Sequence, residues 1–357
     1  MRTIPTFWNP ERWLRRGLQL TVIAGIVFAA LAPIDSQSQE RALNLYSARH
    51  YQTDNALYDT FAKQTGIQVN RIELGDEPLL QRLKSEGTNS PADVVLLVDA
   101  ARLWRAQIDG LFQPIQSRAL DERIPANLRS NDGTWYGFST RARAIVYDKA
   151  RVKPTDVDTY EKLADPKLKG LVCTRSGSHP YMLSLIGAMI ERNGEAKTEE
   201  WAKGTVANMA RPPRGGDTDQ IKGVASGECG VALTNTYYWL RLVRSDDPKD
   251  KEIVAKVSFV WPNQATSGTH INISGGGVAK NAPNKAHAVL FLEYLSSPQA
   301  QAYFANGNNE WPAVKGAKTD NAALAALGAP KFENVPVSTI GKNQIAAQRI
   351  LDRVGYR

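Results

Sequence analysis

Short apolar segments alternate with amphipathic segments along most of this chain. Residues 43–46, 67–74 and 93–98 are typical of strands, and the last has the continuous hydrophobicity of a buried strand. Between them, residues 54–66 carry Leu57, Tyr58 and Phe61 on one helical face, and residues 78–86 form a second candidate helix. This βαβαβ order predicts an α/β protein with mostly parallel sheets.

The middle of the chain predicts a change from one half of the molecule to the other. A helix is expected at residues 101–109, and a long extended segment at residues 136–147 begins the second half. Gly275-Gly276-Gly277 predicts a turn or a close-packing site, because it lacks a Walker lysine and the dinucleotide-binding spacing. Further strands are expected at residues 170–174, 230–234, 257–260 and 270–273, with helices at residues 181–192, 199–209 and 219–227 and two more near the C-terminus.

Chain length and the N-terminal segment add two expectations. The 357 residues exceed what one compact core usually supports, so two lobes are expected. Arg12, Arg15 and Arg16 precede an apolar run at residues 18–32, which predicts a signal peptide over residues 1–38. That run is shorter than the roughly 20 residues of a membrane span, although an uncleaved anchor is the alternative. The Arg15-Arg16 pair loosely resembles a twin-arginine export signal, and the predicted location is the periplasm.

Charge and cysteine content exclude some classes of protein. The net charge is +8, but the charges are interspersed and no nucleic-acid-binding motif is present, so we expect no nucleic-acid partner. Cys173 and Cys229 fit one structural disulfide in an oxidising compartment, and two buried free thiols are the alternative.

Aromatic and polar side chains gather where predicted strands end. His50 and Tyr51 follow the first strand, and Tyr237 and Tyr238 follow the strand predicted at residues 230–234. Asn and Thr just before the doublet are available as caps, which places both tyrosines in the first turn of a helix. A proline before Tyr181 suits the first position of a helix, which places Tyr181 in its opening turn. Ligand sites of α/β sheets form at the carboxyl ends of strands, so these five side chains can reach one cleft.

Four phenols and an imidazole are suited to a hard trivalent metal ion. A phenol has a pKa near 10 and stays neutral unless a strong positive charge stabilises the phenolate. Fe(III) supplies that charge, and tyrosinate is one of its protein ligands. The sequence therefore suggests an Fe(III) site, and its candidate ligands are His50, Tyr51, Tyr181, Tyr237 and Tyr238.

Four phenolates around Fe(III) leave one negative charge, so a neighbouring cation is expected. Arg141 is the main candidate, Arg143 the second and Arg241 a weaker one. Each assignment has an ordinary structural alternative: the tyrosines as core residues, and Arg141 in an inter-strand ion pair. Asp99 is a further possible ligand, but a helix cap explains it equally well.

Taken together, six segments resemble the periplasmic ferric-iron-binding proteins of ABC importers. The tyrosine doublet in its Asn-Thr-Tyr-Tyr setting is the most specific of them, and the likeness runs from about residue 43 to the C-terminus. The segments are residues 45–51 (LYSARHY), 92–95 (ADVV), 139–143 (STRAR), 234–239 (TNTYYW), 273–280 (ISGGGVAK) and 287–295 (HAVLFLEYL).

The chain is most similar to the tyrosine-rich branch of that family, typified by cyanobacterial ferric-uptake proteins. The resemblance implies that the four tyrosines and His50 are iron ligands and that Arg141 is the charged neighbour of the site. The chain is less similar to the other branch of the family, which binds iron with a histidine, a glutamate and two tyrosines, often together with a bound anion. Here Tyr51 directly follows His50, and no glutamate stands near Asp99.

The resemblance also implies the fold, an α/β type II periplasmic binding protein fold of two lobes joined by crossing hinge strands. The expected N-lobe comprises residues 41–138 and 264–318, and the expected C-lobe comprises residues 139–263 and 319–357. The implied partners are ferric iron and the ABC importer permease in the inner membrane, with the binding protein a monomer.

Two other functions fit the sequence less well. A binding protein for a small organic anion such as a phosphonate would keep the fold and use Arg141 and helix N-termini as its anion site. A secreted hydrolase is disfavoured because the chain has no Gly-x-Ser-x-Gly or His-Glu-x-x-His motif, so we expect no enzyme.

Overall fold

A computed structural model of the protein describes residues 41–49, 51 and 53–357. The predicted signal peptide, residues 1–38, lies outside the described residues, and so does His50. Residues from Ala42 to Arg357 form one compact unit. In this described part of the chain, no helix is both long and apolar enough to cross a membrane.

Nine strands are present in the described chain, and most lie close to their predicted positions. Two differences stand out: the strand that starts after His270 is longer than predicted, and the short strand at Trp311–Pro312 was not predicted. The strands are β1 (Ala42–Ser47), β2 (Gln68–Glu73), β3 (Val94–Leu97), β4 (Tyr136–Asp148), β5 (Val172–Cys173), β6 (Val231–Asn235), β7 (Val257–Val260), β8 (Ile271–Val278) and β9 (Trp311–Pro312).

Nine α-helices lie between β1 and β8 of the described chain, singly or in runs of two or three between strands. Short 3₁₀ segments occur at Gly87–Asn89, Ala126–Leu128, Pro154–Asp156, Glu161–Ala164 and Pro166–Leu168. The α-helices are α1 (Asp54–Thr65), α2 (Asp76–Glu86), α3 (Ala100–Ile108), α4 (Arg118–Arg123), α5 (Pro180–Asn193), α6 (Glu195–Ala207), α7 (Asp217–Ala225), α8 (Thr236–Val243) and α9 (Pro248–Lys256).

The prediction of two helices near the C-terminus was wrong, because five follow β8 in the described chain. Two of them have only five and six residues, too few for a helical period to stand out in the sequence. The five are α10 (Lys285–Leu295), α11 (Pro298–Asn308), α12 (Ala322–Ala326), α13 (Val337–Lys342) and α14 (Gln344–Arg353).

The sheet runs in the order β2-β1-β3-β8-β4-β6-β5, with β7 and β9 also paired to β4. The prediction of mostly parallel pairing was wrong, because β3–β8 and all four pairings of β4 are antiparallel. Parallel pairing holds for β1–β2, β1–β3 and β5–β6. β4 pairs with β8 up to Ala142 and with β6 from Arg143 onward, so one long strand passes from one half of the sheet to the other.

The glycine cluster lies inside β8 as a close-packing site, so the alternative of a turn was wrong. A Cβ atom on Gly277 would lie 2.1 Å from the carbonyl oxygen of Thr134, and one on Gly275 would lie 2.4 Å from that of Tyr136. These separations are too short for any side chain, which explains why glycine fills this central strand.

Each half of the sheet has its own apolar core. One core surrounds β1, β3 and β8 and includes Phe61 and Phe291. The other half contains a core that includes Tyr160 and Leu233, and a smaller cluster that includes the cysteines. Cys173 and Cys229 form the predicted disulfide, with a Cα–Cα distance of 5.8 Å.

Candidate metal centre

Tyr181 is held at the start of helix α5. Pro180 occupies the first turn, and the Nδ1 atom of His179 accepts a hydrogen bond from the Tyr181 backbone N–H at 3.2 Å. The imidazole of His179 also contacts the Tyr181 ring edge-on, with ring centroids 4.5 Å apart. Burial, aided by the charge of Arg175, lowers the pKa of His179 to about 2, so its imidazole stays neutral and can serve as the cap.

Tyr237 and Tyr238 lie in the first turn of helix α8, directly after strand β6. Their rings are 4.3 Å apart and tilted by 33°. The hydroxyl oxygen of Tyr237 lies 3.0 Å from that of Tyr181, which makes a buried hydrogen bond between the two helix starts. The predicted placement of all three tyrosines at helix N-termini is therefore correct.

Tyr51 approaches the same cluster from the first half of the chain. Its ring meets the Tyr237 ring edge-on, with centroids 6.3 Å apart. The structure thus brings together all four tyrosines that the sequence singled out. The neighbouring His50 lies outside the described residues, so its place in this cluster stays a prediction.

Five arginines surround the four phenol rings. Arg175 lies 4.9 Å from the centre of the Tyr181 ring, and Arg241 lies 5.2 Å from that of Tyr237. The sequence did not point to Arg49 or Arg175, although each stands within a few residues of a strand end. The guanidinium groups belong to Arg49, Arg141, Arg143, Arg175 and Arg241.

Arg143 and Arg175 have an acidic partner in this cluster. Both donate to the carboxylate of Asp217, at 2.6 and 3.3 Å respectively, and Asp217 is fully buried. Asp217 also accepts a hydrogen bond from the backbone N–H of Asn235, the residue before helix α8. The charge of Arg143 is therefore largely balanced by Asp217, so Arg143 is a weak candidate for the cation that balances the phenolates.

Arg141 is a buried cation that makes no salt bridge in the described part of the chain, although the carboxylates of Glu310 and Asp99 act on it from further away. Its Nη1 atom donates to the hydroxyl of Ser274 at 2.9 Å, and its guanidinium carbon lies 5.7 Å from the centre of the Tyr181 ring. Its Nε and Nη2 atoms are buried and find no hydrogen-bond partner in the described part of the chain. The alternative of an inter-strand ion pair is therefore not what the described residues form.

The phenols hold their protons strongly. Burial raises the pKa of Tyr51 to about 12; Glu310 adds to the rise, and Arg49 and Arg141 oppose it. Burial likewise raises the pKa of Tyr181 and Tyr237 well above the ordinary value, and neighbouring phenols add to both shifts. These three hydroxyls are therefore neutral without a bound cation, and their ionisation requires a strong positive charge close to them.

Phenol oxygens are the donors that this cluster offers to a metal. Among the described residues, no three His, Cys, Asp or Glu side chains converge as a metal-binding group. Asp99, the other possible ligand, caps helix α3 by accepting from the Ala101 N–H at 2.8 Å, and it also accepts from the hydroxyl of Ser184. It is thus engaged as a helix cap.

The chain belongs to the bacterial extracellular solute-binding protein family, whose sequence model matches residues 56–330. Among its relatives, iron uptake protein A2 of Synechocystis is 48% identical over 94% of this chain and 96% of its own length. The major ferric iron-binding protein of Neisseria meningitidis is 26% identical, covering 88% of this chain and 93% of its own.

Solved structures agree with this assignment. The Trichodesmium protein IdiA (FutA), in complex with iron and citrate, has 53% identity and a TM-score of 0.85, and the match covers 88% of this chain and all of the other. Apo FutA2 from Synechocystis has 50% identity and a TM-score of 0.84, covering 89% and 100%. The predicted α/β two-lobed type II fold and the family resemblance are both confirmed.

Proposed function

We propose that this protein captures ferric iron between its two lobes and delivers it to an ABC importer. The observation that carries the proposal is the convergence of Tyr51, Tyr181, Tyr237 and Tyr238, with two of the hydroxyl oxygens 3.0 Å apart. His50 is the proposed fifth ligand. Relatives named as iron uptake proteins, and a similar structure that holds iron and citrate, support this proposal.

The chemistry of the cluster favours Fe(III) over a divalent ion. Phenolate is a hard anionic oxygen donor, and Tyr51, Tyr181 and Tyr237 must each lose a tightly held proton to become a ligand. A trivalent charge offsets that cost better than a divalent charge at the same distance. Arg141, buried and in no salt bridge among the described residues, would balance the remaining negative charge of four phenolates on Fe(III).

Binding would also favour a closed arrangement of the lobes. In the proposed division, the N-lobe comprises residues 41–138 and 264–318, and the C-lobe comprises residues 139–263 and 319–357. Tyr51 then comes from the N-lobe and the other three tyrosines from the C-lobe, so one ion links both. We further propose that the protein is periplasmic, monomeric and without enzymatic activity, with its permease partner in the inner membrane.

The experiment is a titration of the purified mature protein with ferric citrate, followed by visible absorption. We expect a purple-red charge-transfer band that saturates at one iron per protein. Tyr356 is a suitable control, because its buried hydroxyl donates to Thr174 at 2.8 Å in the same half of the molecule. Tyr356→Phe should keep the band. Colourless protein throughout would overturn the proposal and favour a small organic anion instead.

A further inference from the structure

The side chain of Arg49 is enclosed beside the tyrosine cluster. Its Nε atom donates to Asp54 at 2.8 Å, and both terminal nitrogens donate to the Oε2 atom of Glu310, at 3.2 and 3.3 Å. Nη1 also lies 3.4 Å from the hydroxyl of Ser139. Two carboxylates and a hydroxyl therefore fix the plane of a guanidinium that is only 3% exposed.

Two aromatic rings pack close to this guanidinium. The ring centres of Tyr51 and Phe304 each lie 4.9 Å from its central carbon. Arg49 stands two residues before Tyr51 in the chain, so the carboxylates that orient the guanidinium also fix a surface against which the Tyr51 ring packs. Displacement of Arg49 would remove this contact with the Tyr51 ring.

Glu310 is held in place beside Arg49 by burial, by a hydrogen bond and by the pairing of its neighbouring residue. It is fully buried, and its Oε2 atom additionally accepts from the hydroxyl of Ser139 at 3.0 Å. The next residue, Trp311, pairs with Thr140 of strand β4, and its ring packs 5.8 Å from that of Trp261. The backbone at residue 310 is therefore held by the strand that passes between the two halves of the sheet.

We propose that Glu310 is a positioning residue of the iron site, which acts through Arg49 to hold the ring of Tyr51 where it can ligate the ion. The inference deepens the proposed function and rests on it. It assigns a role to a residue 261 positions away from Arg49 in sequence, which lies in none of the segments that suggested the site. Since Glu310 acts through Arg49, removal of either side chain should misplace the same phenol.

The test compares Glu310→Ala, Glu310→Gln and wild type. Loss of the groups that orient a metal ligand typically lowers metal affinity by about 10- to 100-fold, and we expect a loss of this size for Glu310→Ala in competition with citrate. The charge-transfer band should also shift and weaken, because one phenolate is displaced. Glu310→Gln keeps an acceptor oxygen for Arg49 and Ser139, so it should recover most of both losses.

Glu86→Ala is the matched control. Glu86 accepts from Arg82 and from the hydroxyl of Tyr46, at 2.7 and 2.8 Å, so it reproduces the chemistry of a carboxylate, an arginine and a tyrosine away from the proposed ligands. It should lose stability without any change in the band. If Glu310→Ala matches Glu86→Ala in iron affinity and in band position, the inference fails.

A double mutant tests the route through Arg49. Arg49→Ala with Glu310→Ala should lose no more affinity than Arg49→Ala alone, whereas fully additive losses would overturn the route. If Glu310→Ala does not fold, Glu310→Asp, whose shorter side chain withdraws the carboxylate from Arg49, is compared in the wild-type and Arg49→Ala backgrounds: it should lower iron affinity in the first and leave it unchanged in the second. Failure of the proposed function is distinguishable, because wild type would then show no band at all.

Discussion

The hydroxyl oxygens of Tyr181 and Tyr237 lie 3.0 Å apart although the two residues are separated by 56 positions in the chain. Each begins a helix that follows a strand of the same half-sheet. The hydrogen bond between them shows that their side chains point to a common place. A cation bound between them would take the place of both hydroxyl protons, because each phenol must ionise to become a ligand.

Substitution of Tyr237 by phenylalanine should remove one ligand and leave the fold intact. We expect iron affinity to fall by at least about 10- to 100-fold, because loss of a group that only orients a metal ligand already has an effect of this size. The unfolding free energy of the iron-free protein should fall by only about 1 kcal/mol, the usual contribution of one hydrogen bond. Competition with citrate and urea unfolding measure the two quantities. Equal affinity in this variant and in Tyr356→Phe would contradict the assignment.

The placement of the tyrosines was predictable because each follows a local signal. Pro180 marks a helix start, and the Asn-Thr pair before Tyr237 marks another, so sequence alone put these rings at strand-to-helix junctions. The roles of Arg49 and Glu310 were not predictable, because they depend on the pairing of segments far apart in sequence. The length of strand β8 around Gly277 was underpredicted for a different reason. In a sequence, a run of glycines favours a turn, and the tight packing that requires glycine inside a strand is visible only in the structure.

The raised pKa of Tyr51 predicts a pH dependence of the iron-free protein. An unfolded tyrosine titrates near pH 10, whereas folded Tyr51 titrates near pH 12. Between these values the folded state keeps a proton that the unfolded state loses, so the unfolding free energy should fall as pH rises, by up to about 1.4 kcal/mol per pH unit. Tyr51→Phe should show a shallower slope in urea titrations from pH 9.5 to 11.5. Identical slopes for Tyr51→Phe and wild type would contradict the raised pKa of Tyr51.

Iron loading should release protons, because phenols become phenolates. Wild type and Tyr238→Phe, titrated with the same ferric citrate in weak buffer, should differ by about one proton per iron bound. A pH-indicator dye measures the difference. Because protons compete with iron for the phenolate oxygens, acidification should release the iron and abolish the charge-transfer band. Retention of iron in strong acid would argue against phenolate ligands.

Arg141 should contribute to iron affinity through its charge. Arg141→Ala should lower the affinity by about 10- to 100-fold, as expected for loss of a group beside a metal site, and Arg141→Lys should restore part of it. Arg353→Ala is the control, because that surface arginine pairs with Glu199 outside the tyrosine cluster. An effect of Arg141→Ala no larger than that of the control would show that other arginines balance the site.

The disulfide should stabilise the half of the sheet that presents three of the tyrosines. Cys173 ends strand β5, six residues before His179, and Cys229 precedes strand β6. The double substitution Cys173→Ser and Cys229→Ser should lower the unfolding free energy by about 2–4 kcal/mol. Urea unfolding measures this loss. A variant as stable as wild type would contradict a bracing role.

The path of strand β4 determines whether the protein can be cut into two fragments that fold separately. The chain leaves the first half-sheet through β4 and returns to it through β8 and β9, so neither half is a single continuous stretch of sequence. A fragment cut near Asp148 would contain β1 to β4 yet lack the central strand between β3 and β4. Independent expression of one half therefore requires two peptides or a rejoined chain, and ribosomal synthesis must reach β8 before the first sheet can close.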